Sequence, residues 1–295
     1  MGKPPLVMKR LDPQRPLLWL ASLAALAGIY TLVSSHAARP DVLPSAQDIA
    51  ETFTALLGSG QPQPMNEQHA HAGHHGHSSD QVETLIQQGV SLQASLAIST
   101  ARVLFGLLVG LPLGTLIGLL LAWNRRTDDY LHPVYVLLRS VPPLALITYI
   151  MLWLGHSEAH RLIPIVYAVA TTAVIPTYHG VRDVAAKYVV AARSLGARGR
   201  LMLTKVLLPA ASPAVLGGLR YSVAIAWMTA VGAEMLMAEN GMGNLLVGGG
   251  MWASRLQTRS DPAVILVGIM ALAAVGWAMD ALVRTVTARL TRWVR

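Results

Sequence analysis

The feature that most limits how this chain can fold is an apolar run long enough to cross a bilayer. Residues 103–123 are 21 positions without a charged side chain, and about 20 apolar residues in a helix span the hydrocarbon core. Over all 295 residues, 53% are hydrophobic and 13% are charged, whereas a soluble domain has about 25% charged residues. The sequence therefore predicts an all-α integral membrane protein.

Five other apolar runs predict further spans, giving six transmembrane helices. The first run follows a basic tail and admits two interpretations, a cleaved signal peptide or an uncleaved anchor. We favour the anchor, because the apolar stretch is long for a signal peptide. The third run contains Pro142 and Pro143, so neighbouring helices must satisfy the carbonyls that these prolines free. The predicted spans are residues 16–33, 103–123, 134–155, 162–179, 221–238 and 262–279.

Positive charge is unevenly distributed between the two sides of this topology. The side that holds both termini carries 16 of the 23 Lys and Arg residues. Because cytoplasmic loops are enriched in Lys and Arg, we expect both termini to be cytoplasmic. Residues 1–35 then form a tail and the first span, residues 36–95 an extracytoplasmic segment, and residues 96–295 the core domain.

The charge distribution argues against nucleic-acid binding, and the composition excludes cysteine chemistry. The net charge of +8 is divided into short clusters between apolar runs and forms no continuous basic face, which argues against a nucleic-acid partner. The chain contains no cysteine, so it has neither disulfides nor thiolate metal ligands.

A charged segment between the fourth and fifth spans, residues 182–209, has its own helical pattern. Val189, Ala192 and Leu195 fall at helical spacing, and Gly196 and Gly199 follow them. A second short amphipathic piece, residues 201–208, is predicted to end at the following proline. The pattern indicates a helix–turn–helix on the inner face of the membrane.

The same segment resembles the EAA coupling motif of ABC importer permeases, E-A-A-x3-G-x9-I-x-L-P. The spacing agrees at every position, although Val190 stands where the family usually has Glu. The resemblance implies that cytoplasmic coupling helices dock into a partner ATPase. The matching residues are Ala191, Ala192, Gly196, Val206, Leu208 and Pro209.

Membership of this family implies a type I importer fold in the bacterial inner (plasma) membrane. Its members work as dimers, here expected to be a homodimer, with a cytoplasmic ATPase dimer and an extracytoplasmic substrate-binding protein. The sequence contains no G-x-x-x-x-G-K-[ST] phosphate loop. We therefore expect a transport subunit that is not an enzyme and holds no cofactor, with ATP and Mg in the partner.

Two further segments are similar to the taurine, sulfonate and nitrate group of permeases. They are LLRSVPPLALITYIMLWLG at residues 137–155 and GAEMLMAENGMGNLLV at residues 232–247. This resemblance implies uptake of a small organic or inorganic anion. Two alternatives stay open: uptake of a transition metal or metal complex, and a secondary transporter that works without an ATPase.

Several residues are candidates for the translocation path or its gate. Glu234 interrupts an apolar span, and ionisable groups inside spans are costly and often functional. It either lines the path or accepts hydrogen bonds from backbone amides in the glycine-rich stretch after it. The complete candidate set is Pro142, Pro143, Glu234, Gly241 and Gly243.

Other residues in or near the spans have simpler interpretations. Arg102 at the start of the second span is expected to extend its side chain to the membrane surface. Asp280 and Arg284 are expected to pair across one helical turn. Glycines recurring every fourth residue predict a helix–helix interface rather than a pore; they are Gly106, Gly110, Gly114 and Gly118.

Residues 61–80 form a histidine-rich insert without helical or strand periodicity. Imidazole groups bind Zn, Cu, Ni and Co, so this loop is a candidate metal-binding element. The alternative is a tolerated hydrophilic insertion with no role in transport. The candidate ligands are His69, His71, His74, His75 and His77.

Overall fold

The computed structural model describes residues 24, 25, 27–32, 34, 44–58, 91–155, 157–184, 186–237, 240–247 and 262–291. The regular elements of these ranges are all helices. Residues 24, 25, 27–32 and 34 are helical. After them, in chain order, come α1 (Ala46–Gly58), α2 (Leu92–Trp123), α3 (Arg125–Ser140), α4 (Pro143–Leu154), α5 (Glu158–Arg182), α6 (Ala186–Ser194), α7 (Gly199–Met202), a π-helical turn (Leu203–Leu207), α8 (Leu208–Met237), α9 (Met242–Val247) and α10 (Pro262–Leu290).

Four helical stretches in these ranges are long and apolar enough to cross a membrane, and the bent pair α3–α4 is a fifth candidate. The four are α2, α5, the continuous stretch Gly199–Leu236 and α10. Each extends beyond the apolar run that predicted it, because polar residues at the ends continue the helix. The predicted first span lies mostly outside the described residues and stays a prediction.

The third predicted span is interrupted at Pro142 and Pro143, as the sequence predicts, and the interruption is a sharp bend. It consists of α3 and α4, which meet at an angle of 82°. Val141 is extended (φ −77°, ψ 118°), as expected for a residue before proline, and Pro143 starts the next helix. The Tyr167 hydroxyl donates hydrogen bonds to the carbonyls of Leu138 and Val141. A neighbouring helix thus satisfies carbonyls that the break frees, as the sequence predicts.

The second helical piece of the 182–209 segment does not end at Pro209, contrary to prediction. It passes through the π-helical turn into α8, where the Leu208 N–H bonds to the Leu203 carbonyl five residues earlier. A proline offers no N–H and its ring collides with the carbonyl four residues before it. The wider turn accommodates Pro209 without breaking the helix, so α7, the π turn and α8 form one continuous element.

The glycine stripe of α2 packs against α5, which confirms the predicted helix–helix interface. A Cβ atom on Gly110 would lie 2.8 Å from the Val166 carbonyl oxygen, and one on Gly118 would lie 2.6 Å from that of Val174. The helix backbones therefore approach too closely for any larger residue. Together with α8 they enclose an apolar core of Val103, Leu107, Ile165, Val169, Val223, Ala226, Trp227 and Ala230.

Replacing Gly114 with leucine should separate α2 from α5 and reduce the yield of folded protein. A Cβ atom there would lie 2.8 Å from the Ala173 Cβ, and overpacking a tight core costs about 1–3 kcal/mol or more. Gly217→Leu in α8 is the matched control, since apart from the adjacent part of its own helix no described atom lies within 4 Å of its Cβ position. Size-exclusion profiles and Tm values of the two variants should differ; equal profiles would contradict this packing.

Candidate functional site

The EAA-like residues lie at the end of the bundle where α2 ends, in two structurally distinct halves. Ala191 and Ala192 belong to α6, Gly196 follows it, and Val206, Leu208 and Pro209 lie at the junction of the π turn with α8. A cavity of about 450 Å³, lined in part by Trp123 of α2, Val189 of α6 and Met202 of α7, lies between these elements. The structure thus brings both halves of the motif to one end of the bundle.

The turn after α6 is a Schellman motif centred on Gly196. The Ala197 N–H bonds to the Ala192 carbonyl at 2.9 Å, and the Gly196 N–H bonds to the Arg193 carbonyl at 3.0 Å. Gly196 has φ +84°, a conformation that glycine adopts without steric cost. The backbone of the turn therefore favours the glycine of the motif.

This turn exposes apolar side chains to the surroundings. Leu195, directly before the glycine, is 88% exposed, and Tyr188 and Val190 on α6 are more than half exposed. Exposed apolar side chains that lie close together can mark a surface for contact with another protein. The segment therefore presents a shaped, apolar surface.

The opposite end of the bundle contains a partly buried polar network, which we call the Glu234 cluster: Ser99, Arg102, Glu158, Arg161, Glu234 and Asn240. The Glu234 side chain is 1% exposed. It accepts hydrogen bonds from the Ser99 hydroxyl at 2.8 Å, from Arg102 Nη1 at 2.8 Å and from the Gly243 N–H at 3.0 Å. The bond from the Gly243 N–H agrees with the interpretation in which Glu234 accepts hydrogen bonds from the glycine-rich stretch after it.

Arg102 is the centre of this cluster, and the prediction that its side chain extends to the membrane surface is wrong. The side chain is 5% exposed. Its Nε and Nη2 atoms bind the two carboxylate oxygens of Glu158 at 3.2 and 2.7 Å. Its Nη1 atom also donates to the Asn240 carbonyl at 3.1 Å. Burial is tolerable because the guanidinium is surrounded by acceptors.

The glycines after α8 allow this cluster to close. Gly241 has φ +104°, and a Cβ atom there would lie 2.6 Å from the Glu234 carboxyl carbon. A Cβ atom on Gly243 would lie 2.6 Å from the Glu234 Cβ. Three of the predicted path residues, Glu234, Gly241 and Gly243, are therefore packed together. Pro142 and Pro143 lie instead at the bend between α3 and α4.

Sequence reasoning missed Ser99, Glu158, Arg161 and Asn240 as members of the cluster. Arg102 and Glu234 are 132 positions apart and Arg102 and Glu158 are 56 apart, so no local spacing connects them. One signal in the sequence could have predicted the cluster: Arg102, Glu158 and Glu234 carry opposite charges near the same end of three predicted spans.

A second charged group lies on α8 and α10. The predicted pair is confirmed, with Arg284 Nε 3.2 Å from Asp280 Oδ2. Arg220 of α8 also binds both oxygens of Asp280, at 2.9 and 3.2 Å, which the sequence did not suggest. The Arg220–Asp280 pair lines part of a largely apolar cavity of about 600 Å³, which is bounded by α8, α10 and Leu144.

Comparison with known proteins adds to this geometry. Residues 110–292 match the family described as the binding-protein-dependent transport system inner membrane component. The chain belongs to this family. The permease is therefore a membrane transport subunit, as the EAA-like segment implies.

Relatives of this permease include named transport proteins. The chain is 30% identical over 203 residues to the taurine transport system permease protein TauC of Escherichia coli, covering 69% of the chain and 71% of TauC. It is 35% identical over 198 residues to the permease protein SsuC of Bacillus subtilis, whose name refers to aliphatic sulfonates, covering 67% of the chain and 69% of SsuC.

A solved structure supports the fold. An inward-facing MetNI methionine ABC transporter matches with a TM-score of 0.52 and 19% identity, over 69% of this chain and 94% of that chain. The helical arrangement of this permease therefore resembles that of an ABC importer membrane subunit.

Proposed function

We propose that this chain forms, as a homodimer, the translocation path of an ATP-driven importer for a small anion of the sulfonate, taurine or nitrate type. The observation that carries the proposal is the EAA-like segment, in which a Schellman turn at Gly196 exposes Leu195. The names of the taurine and sulfonate relatives support the substrate class.

In the proposed topology six spans cross the membrane and both termini are cytoplasmic. The EAA-like segment then faces a cytoplasmic ATPase dimer that binds ATP and Mg. The Glu234 cluster lies on the extracytoplasmic side, where a substrate-binding protein delivers the anion. The permease itself performs no covalent chemistry.

The continuity of α7, the π turn and α8 gives a physical route for coupling. Movement of a docked ATPase acts on α6 and α7, and a continuous helix carries that displacement from Gly199 to the region of Glu234. ATP binding closes the ATPases, and the helices exchange between inward-facing and outward-facing arrangements. Hydrolysis then resets the cycle.

Affinity purification of the permease from its native membrane separates this mechanism from a secondary transporter. We expect an ATPase with a phosphate-loop motif to copurify in equal amount. Recovery of the permease alone, with uptake driven by an ion gradient, would support the secondary transporter instead.

The histidine-rich insert, residues 61–80, keeps a metal-linked cargo as a second candidate. Five histidines within nine positions can share a Zn, Cu, Ni or Co ion, but His69, His71, His74, His75 and His77 lie outside the described residues. If the insert serves metal uptake, deleting residues 64–78 should reduce uptake at limiting metal. Unchanged uptake, with no metal copurifying, would rule out this role.

A further inference from the structure

The two carboxylates of the Glu234 cluster differ sharply in their surroundings. Glu234 is 1% exposed and is fixed by a hydroxyl, a guanidinium and a backbone N–H. The Glu158 side chain is 56% exposed, although both of its oxygens bind buried arginines. One carboxylate is therefore part of the interior, whereas the other enters the cluster from the surface.

Two guanidinium groups converge on Glu158. Arg102 binds both of its oxygens, and Arg161 Nη1 lies 2.5 Å from the oxygen that Arg102 Nη2 also contacts. The Arg102 and Arg161 residues are 5% and 6% exposed. The charged acceptor is thus far more exposed than its donors, unlike an ordinary surface ion pair in which both partners are exposed.

The charge balance of the cluster depends on Glu158. The two arginines and two glutamates sum to zero. If the Glu158 carboxylate turned outward, Glu234 would still neutralise one guanidinium, and a single positive charge would remain. An anion with one negative charge would restore neutrality at the same donors.

We propose that Arg102 and Arg161 form a binding site for one small singly charged oxyanion, which Glu158 occupies in this structure as an internal substitute. Glu158 is the first residue of α5 and its side chain is 56% exposed, so the carboxylate can turn toward the surface by side-chain rotation alone. A sulfonate presents several equivalent oxygens to the guanidinium forks, the geometry for which arginine is suited. The choice of a sulfonate rests on the proposed function, whereas the site rests on the cluster.

Replacing Glu158 with glutamine should open the site, because it removes the competing charge. Binding of radiolabelled methanesulfonate to the full chain in neutral detergent, with gluconate as the buffer anion, should be at least ~10-fold tighter than in the wild type. The stoichiometry should be one anion per chain. No gain in a folded, monodisperse Glu158→Gln protein would overturn the proposal.

Asp280→Asn is the matched control. It also removes a carboxylate held by two arginines, but Arg220 and Arg284 are each 47% exposed. We expect no gain in binding there, because exposed arginines are hydrated and screened by salt. An equal gain in both variants would show that any uncovered arginine pair suffices and would overturn the proposal.

A phospholipid headgroup is a second source of the same chemistry. Adding phosphatidylglycerol should leave methanesulfonate binding unchanged if the site takes a free solute. If the lipid displaces methanesulfonate, the site is retained and its ligand is a headgroup phosphate.

A measurement on the wild type keeps the proposal testable if Glu158→Gln does not fold. Methanesulfonate should release the Glu158 carboxylate and raise its modification by a water-soluble carbodiimide several-fold, with sodium gluconate as the ionic-strength control. Unchanged modification would contradict the proposal. Methanesulfonate binding without ATP-driven uptake would support the site and contradict the proposed transport function. ATP-driven uptake without methanesulfonate binding would support the transport function and contradict the site.

Discussion

Replacing Glu234 with alanine should prevent most of the protein from reaching a folded, extractable state. The substitution leaves the buried Arg102 guanidinium with Glu158 as the one carboxylate that it contacts among the described residues, and it removes the acceptor of the Ser99 hydroxyl and the Gly243 N–H. Removing one partner of a buried ion pair costs about 3–5 kcal/mol, a large share of the ~5–15 kcal/mol that stabilises a typical domain.

The yield of monodisperse protein and its Tm measure this effect. Asp280→Asn is again the appropriate control, because its partners are exposed and surface ion pairs contribute about 0–1 kcal/mol. Glu234→Gln should fall between the two, since an amide oxygen still accepts from Ser99 or Gly243 but carries no charge. A Glu234→Ala protein as stable as the wild type would show that the cluster does not hold α2, α8 and α9 together.

Replacing Leu195 with aspartate should strongly weaken association with the partner ATPase while leaving the permease folded. Leu195 is 88% exposed, so the substitution removes little internal packing. Buried anchors at interfaces contribute about 2 kcal/mol or more, roughly a 30-fold change in affinity. The measurements are the amount of ATPase recovered with the tagged permease and the stimulation of its activity.

Two variants at the next position separate the turn from the surface. Gly196→Asn should retain the ATPase, because asparagine tolerates positive φ better than other non-glycine residues. Gly196→Trp should lose it, because a bulky residue is strained there and projects from the docking surface. Thr285→Asp, at an exposed position of α10 outside the segment, controls for added charge. Normal transport by Leu195→Asp and Gly196→Trp would argue against coupling through this segment.

Features with a local physical cause were predictable from the sequence. An uncharged apolar run predicts α2, and its glycines at every fourth position predict a close helix partner. The break after α6 follows from Gly196, since the Schellman turn needs a positive φ there. The Asp280–Arg284 pair follows from helical geometry alone.

Features that depend on distant residues or on a compromise between opposing rules were not predictable. Pro142 and Pro143 disrupt the third span, but the sequence does not distinguish a kinked helix from an 82° bend. The sequence predicts that a helix ends at Pro209, but a π-helical turn accommodates this proline within a continuous helix. The position of Arg102 at a span boundary predicts an exposed side chain. Its acceptors come from Glu158 and Glu234, which lie far along the chain and could not be paired with it from the sequence.

Transport in proteoliposomes tests the claim that a separate ATPase drives this permease. The permease is reconstituted with its copurifying ATPase and its substrate-binding protein. Uptake of labelled taurine or alkanesulfonate is then measured with and without ATP on the side of the membrane that holds the ATPase. We predict uptake that requires ATP, Mg and the binding protein, and that fails with Leu195→Asp. Uptake by the permease alone, driven by an ion gradient and insensitive to ATP, would contradict the claim.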